Sequence, residues 1–118
     1  MDKKFDCIFL DRDGTINIDP GYISDVKNFK FYEYAFDALQ VLSRISKKFI
    51  IITNQSGVSR GLIENNKLIE INKFIYKSFD ENNINLLNIY FCTDHPKKST
   101  ARRKPGVGMF LEASNDFS

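Results

Sequence analysis

The feature that most constrains this chain is an apolar run that ends in acid. Cys7-Ile8-Phe9-Leu10 are apolar in succession, and Asp11-Arg12-Asp13-Gly14-Thr15 follows directly. A short apolar run of this kind is the pattern of a strand covered on both faces, as in a parallel sheet. In open α/β sheets, ligands bind outside the carboxyl ends of the strands, which is where Asp11 arrives. Two carboxylates one residue apart repel unless a cation holds them. Their hard oxygen atoms suit magnesium. Gly14 gives the backbone freedom to turn sharply beside a ligand. A plain aspartate-capped turn is the simpler reading of Asp-Gly-Thr alone, but it leaves the apolar strand before it unexplained.

The rest of the chain repeats the pattern. Phe36, Leu39, Leu42 and Ile45 recur at helical spacing, predicting a helix from Tyr34 to about Lys47-Lys48, where cations suit its carboxyl end. Phe49 to Thr53 reads as a second buried strand, which closes a β-α-β unit and should lie parallel to the first. Leu68, Ile71, Ile75 and Phe79 mark the buried stripe of a helix over about 64–79. Leu87 to Cys92 is a third strand, 93–108 is irregular and basic, and 109–115 begins another helix. With 118 residues and 42% hydrophobic content, the chain reads as one small globular domain over 1–118. The net charge of +2 is too small to argue for nucleic acid. Two cysteines make no disulfide framework, and the polar lead Met1 to Lys4 is no signal peptide. With no membrane-spanning run either, the expected setting is the cytoplasm.

The strand ending in Asp-x-Asp-Gly-Thr resembles the first motif of the haloacid dehalogenase (HAD) superfamily of aspartate-nucleophile phosphatases. The chemistry this implies is phosphoryl transfer through a covalent aspartyl-phosphate. Asp11 would attack phosphorus. Asp13 would protonate the leaving oxygen and then deprotonate the hydrolytic water. That role needs Asp13 to arrive with a proton, which the residue types leave open. Thr15 is a candidate for a local hydrogen bond to Asp13. Thr53 and Asn54 stand at the end of the second strand. Alone, they read as a helix N-cap and a turn residue; beside the acidic strand end, they read as phosphate ligands. Lys104 would neutralise the nucleophile and the growing charge of the transition state. It closes a run of five cations, Lys97, Lys98, Arg102, Arg103 and Lys104. Such runs are usually solvated loops. No aromatic residues interleave it, so stacking on nucleic acid is not indicated.

Taken together, the motifs narrow the resemblance. Asp-Arg-Asp-Gly-Thr-Ile-Asn, Gly21-Tyr22, Asn28-Phe29, Thr53-Asn54-Gln55-Ser56-Gly57, Arg60-Gly61, Cys92 with His95-Pro96, and Arg103-Lys104-Pro105 occur in order. This set resembles the HAD branch that holds heptose-bisphosphate phosphatases and histidinol-phosphatase domains. The resemblance implies a capless, Rossmann-like three-layer α/β sandwich with a parallel central sheet. It also implies Mg2+ at Asp11 and Asp13, and a small phosphorylated substrate from sugar or histidine metabolism, with no nucleic acid or membrane partner. By the same resemblance Arg12, Asp19, Gly21, Tyr22, Gln55 and Ser56 join Thr53, Asn54 and Lys104 around the substrate. Arg103 would contact the far phosphate of a bisphosphate, most naturally a heptose 1,7-bisphosphate. The alternatives are a histidinol-phosphate phosphatase and an inactive remnant that only binds phosphate. A receiver-type signalling domain also carries strand-end aspartates and a lysine, but the directly following Gly-Thr speaks against it.

Two departures from the branch shape the expectations. Its structural zinc loop carries Cys and His ligands where this chain keeps Cys92 but has Asp94, Thr100 and Arg102. Structural zinc needs four nitrogen or sulfur ligands, so Zn2+ is not expected, Cys92 is a remnant ligand, and a looser loop should carry Arg103 and Lys104. The acidic fourth motif has no counterpart either, since no apolar strand precedes Asp116. The expected sheet therefore lacks its C-terminal strands, magnesium binds weakly, and the first strand is left as an exposed edge open to self-association.

Overall fold

The computed structural model describes residues 5–117, so the polar lead at Met1 to Lys4 lies outside the described residues. Three parallel strands form the sheet in the order β1-β2-β3. They are β1 (Ile8–Leu10), β2 (Phe49–Asn54) and β3 (Leu86–Cys92). β1 registers Ile8 on Phe49 and Leu10 on Ile51, and β2 registers Thr53 on Phe91 and Asn54 on Cys92. All three strands therefore end at the same edge of the sheet, and the residues that follow them emerge together.

Helices cover both faces of the sheet around β2, but β1 is less covered than its apolar run predicts, with Phe9 43% exposed. One face carries α1 (Ala35–Leu42) and α2 (Asn65–Glu81). There Leu10, Phe49, Ile51 and Ile89 meet Leu39, Ile71, Ile75 and Phe79 in one buried cluster. The other face carries α3 (Gly108–Phe117), whose Met109 and Ala113 pack on Ile50, Ile52, Tyr90 and Cys92. Strand β2 lies between the two layers, and its residues Phe49 to Thr53 are all buried. This is the expected three-layer α/β sandwich. Each large apolar side chain buried on α2 contributes about 1.5–3 kcal/mol. Truncating Phe79 to alanine would cost about 3–5 kcal/mol, because it removes a fully buried ring that packs edge-on with Phe36.

The helix predicted from Tyr34 to Lys48 ends earlier, at Leu42. The Ser43 hydroxyl donates back to the Leu39 carbonyl, and the N–H groups of Arg44 and Ile45 reach Val41 and Leu42, tightening the chain into turns. Phe36 and Leu42 still pack on the first cluster, so the stripe was correctly placed while its end was not.

Candidate active site

A cavity of about 430 Å³ opens where the strands end. Asp11 follows β1 and is half-exposed at the cavity wall. Lys104 arrives from the loop between β3 and α3. Its Nζ donates to Asp11 Oδ1 at 2.8 Å and to the Ile52 carbonyl of β2 at 2.8 Å. The ammonium is thus pinned between the end of the central strand and the first carboxylate. Thr53, the penultimate residue of β2, also faces the cavity.

Asp13 is held by donors on every side. Arg12 Nε reaches Oδ1 at 2.9 Å and Nη2 reaches Oδ2 at 3.1 Å. Asn17 Nδ2 donates to Oδ1 and Gln55 Nε2 to Oδ2, each at 2.9 Å. Bidentate, charge-assisted contacts of this kind fix a carboxylate's rotamer as well as its charge. Gly14, at φ +79°, makes the turn after Asp13 and closes it by donating to the Asn17 carbonyl at 2.8 Å.

Of the residues assigned to the substrate by resemblance, Asp19, Gly21, Tyr22, Thr53, Asn54, Gln55, Ser56 and Lys104 all line the cavity. Arg12 does not. It is 1% exposed, lies over the Phe29 ring at 5.7 Å and points its charge at Asp13, so a direct phosphate contact does not fit its position. Arg103 does not line the cavity either, because its guanidinium donates to the Asp94 carbonyl at 3.2 Å. Asn54 faces the cavity but spends its amide on Lys104, accepting from the backbone N–H and donating to the carbonyl. The local hydrogen bond expected from Thr15, which is exposed, comes instead from Asn17. Asn17 is fully buried between two isoleucines in sequence, and that lone polar residue is the signal that could have found it.

The loop before Lys104 is not slack. Asp94 accepts from both the backbone N–H and the hydroxyl of Thr100, at 2.7 and 2.6 Å. Those bonds hold its carboxyl below the usual carboxylate range. The Arg102 guanidinium pairs with Glu112 on α3, which raises its already high pKa, and also donates to the Phe91 carbonyl. His95 Nδ1 accepts from Lys97 and caps the single turn Pro96–Lys98. Cys92 is buried on α3's face of the sheet, where desolvation pushes its thiol pKa up. At the branch's zinc positions, Asp94 is thus bonded to Thr100, while the Arg102 guanidinium turns away to Glu112. Asp116 lies on α3 and accepts from the Tyr90 hydroxyl, away from the acidic strand end.

The donor set at the cavity fits a hard cation. Asp11 Oδ1 is taken by Lys104, while Oδ2 has no protein partner among the described residues. Magnesium keeps several waters and needs only one or two carboxylates, which a water-accessible cavity allows.

Comparisons with known proteins point to phosphatases. The family model described as polynucleotide kinase 3 phosphatase matches residues 7–118. The D-glycero-beta-D-manno-heptose-1,7-bisphosphate 7-phosphatase of Yersinia pestis is 35% identical over 125 aligned positions, covering 100% of this chain and 66% of that protein. Its namesake in Haemophilus influenzae is 38% identical, covering 93% of this chain and 63% of that protein. The chain thus spans just under two thirds of the length of these relatives. The crystal structure of D,D-heptose 1.7-bisphosphate phosphatase from B. bronchiseptica, complexed with magnesium and phosphate, superposes with a TM-score of 0.84 at 25% identity, over 96% of this chain and 64% of that one. A putative HAD-like phosphatase from Mesorhizobium loti gives a TM-score of 0.81 at 27% identity, over 98% of this chain and 58% of that one. The chain belongs to the polynucleotide kinase 3 phosphatase family and has the HAD-like fold of these phosphatases.

Proposed function

We propose that this chain carries the nucleophile and phosphate-binding groups of a magnesium-dependent phosphomonoesterase acting on a small phosphorylated sugar. The observation that carries the reading is the 2.8 Å contact of Lys104 Nζ with Asp11 Oδ1, in a cavity shared with Asp13 and Thr53. An ammonium beside a strand-end carboxylate lets an anionic phosphoryl group approach an anionic nucleophile. Asp11 attacks phosphorus, and the bond from phosphorus to the leaving oxygen breaks. Asp13 gives that oxygen its proton, so the products are an alcohol and an aspartyl-phosphate. Asp13 then takes a proton from water as the water attacks phosphorus, releasing inorganic phosphate and restoring Asp11. Arg12, Asn17 and Gln55 keep the Asp13 carboxyl in place through both steps. The Asp11 carboxylate and the Asp13 backbone carbonyl would hold the magnesium, which when bound would draw charge from the phosphoryl oxygens.

The substrate we favour is D-glycero-D-manno-heptose 1,7-bisphosphate, cleaved at the 7-phosphate, because that is the reaction in the relatives' names. The basic run supports a small substrate over nucleic acid. The side chains of Arg102, Arg103 and Lys104 are all turned to protein partners, leaving Lys97 and Lys98 as the run's cations without a side-chain partner among the described residues. No helix of the described residues is long and apolar enough to cross a membrane. The free thiols Cys7 and Cys92 fit a reducing, cytoplasmic setting. The test is phosphate release with magnesium from the heptose bisphosphate and from histidinol phosphate. The expected result is turnover of the first, lost to background in Asp11→Asn. Turnover that survives Asp11→Asn would rule the reading out.

A further inference from the structure

We infer that Gln55 is a positioning residue that turns the Thr53 hydroxyl proton into the cavity, making Thr53 a donor to a phosphoryl oxygen. This deepens the phosphatase reading and rests on it. Gln55 is 4% exposed, and its Nε2 lies 2.9 Å from Thr53 Oγ1 and 2.9 Å from Asp13 Oδ2. An amide nitrogen has two hydrogens and no lone pair to offer. Asp13 Oδ2 accepts from this amide, and that contact fixes its orientation. The second amide hydrogen then falls on Thr53, whose oxygen must accept it.

A hydroxyl has one proton to give. It cannot point at a nitrogen that is already donating to it. Among the described residues, Thr53 donates to no protein group. Thr53 is 1% exposed, yet it lines the cavity with Asp11 and Lys104. The open direction for the proton is therefore the space where an anionic oxygen would sit. A threonine free to rotate would be both donor and acceptor there. Gln55 removes the acceptor option, and its other hydrogen ties the same amide to the acid/base carboxylate. One buried side chain thus sets the polarity of the phosphate site and the place of Asp13.

The test is calorimetric titration of inorganic phosphate, with magnesium present, into the wild type, Gln55→Met, Gln55→Leu, Thr53→Val and Gln55→Met/Thr53→Val. The wild type should bind phosphate. Each single variant should bind about tenfold more weakly, the size expected for one oriented hydrogen bond. The double variant should be no weaker than Thr53→Val alone, because Gln55 acts on phosphate through that hydroxyl. Gln55→Leu also offers no donor and adds no charge beside Asp13 or the phosphate, so it covers the case in which Gln55→Met does not fold. Wild-type affinity in a Gln55 variant, or losses that multiply in the double variant, would overturn the assignment while leaving the phosphatase reading intact. A wild-type chain that neither binds phosphate nor releases it from a phosphomonoester would overturn both.

Discussion

Asn54 grips the backbone of Lys104 at both ends, accepting its N–H at 3.0 Å and donating to its carbonyl at 3.1 Å. The last residue of the central strand is thereby joined to the residue that carries the ammonium group. The expected consequence is that Asn54→Ala leaves the fold intact and lowers kcat about tenfold, since Lys104 loses two oriented bonds of about 1 kcal/mol each and only part of its placement. Lys104→Met should lose about a hundredfold or more. Steady-state kinetics of both variants beside circular dichroism would check the order.

Gly106 sets a second limit on the same loop. A Cβ there would lie 2.3 Å from the Ala101 carbonyl oxygen and 2.7 Å from that of Arg103. Both obstacles are backbone, so neither can rotate away. Gly106→Ala is expected to displace the loop, cut turnover at least tenfold and lower the melting temperature. Retention of full activity in Gly106→Ala would contradict this crowding.

Arg12 is a buried cation whose ion-pair partner Asp13 is partly exposed. Removing such a cation leaves its carboxylate partner short of donors. Arg12→Leu should destabilise the fold by about 3 kcal/mol, the lower end of the range for breaking a buried pair. The urea midpoint would fall with an unchanged slope. Arg12→Lys should recover little, because an ammonium cannot make the bidentate contact.

The Asp94–Thr100 bridge predicts a pH signature. The folded carboxyl of Asp94 is held below its ordinary value, first by the Thr100 hydroxyl and then by the Thr100 N–H. A depressed folded pKa gives stability that is present above the unfolded value of about 3.9 and is lost as pH falls through the folded one. Thr100→Val should therefore melt below the wild type by a constant interval from pH 5 upward. That interval should close in acid below about pH 4. An interval that widens in acid would assign the bridge to another group.

The outer edge of β1 has no partner strand among the described residues, and Phe9 beside it is 43% exposed against Phe110. An open apolar edge pairs with others of its kind. Sedimentation should show mass rising with concentration, and Phe9→Lys should shift the distribution toward monomer. A monomer at all concentrations would count against edge pairing.

The strands and the α2 stripe were legible because each is a local pattern, a run or a spacing that burial alone explains. The gathering of Asp11, Thr53 and Lys104 was legible from the strand ends and the resemblance. The uses of the individual side chains were less so. Arg12 reads as a cation at a phosphate site, and only its burial over the Phe29 ring with its hydrogen bonds to Asp13 shows that it serves that carboxyl. The Asn54 amide is spent on a residue 50 positions away, which no local pattern encodes. The end of α1 was hidden because Ser43 competes for a helix carbonyl without breaking the apolar period. A looser loop was expected where zinc ligands are absent. The partners that tighten it, Thr100 and Glu112, are ordinary polar residues until the fold brings them to Asp94 and Arg102.

The pair between Arg102 and Glu112 is more than two-fifths exposed on both sides. A fastening of that kind answers to ionic medium. Counter-ions weaken exposed pairs over about 8–10 Å at ordinary strengths, so the reach of Lys104 toward Asp11 should slacken in brine and tighten in dilute buffer. Chelators, which unpick a loop knotted around a metal ion, would leave this stitch as it was.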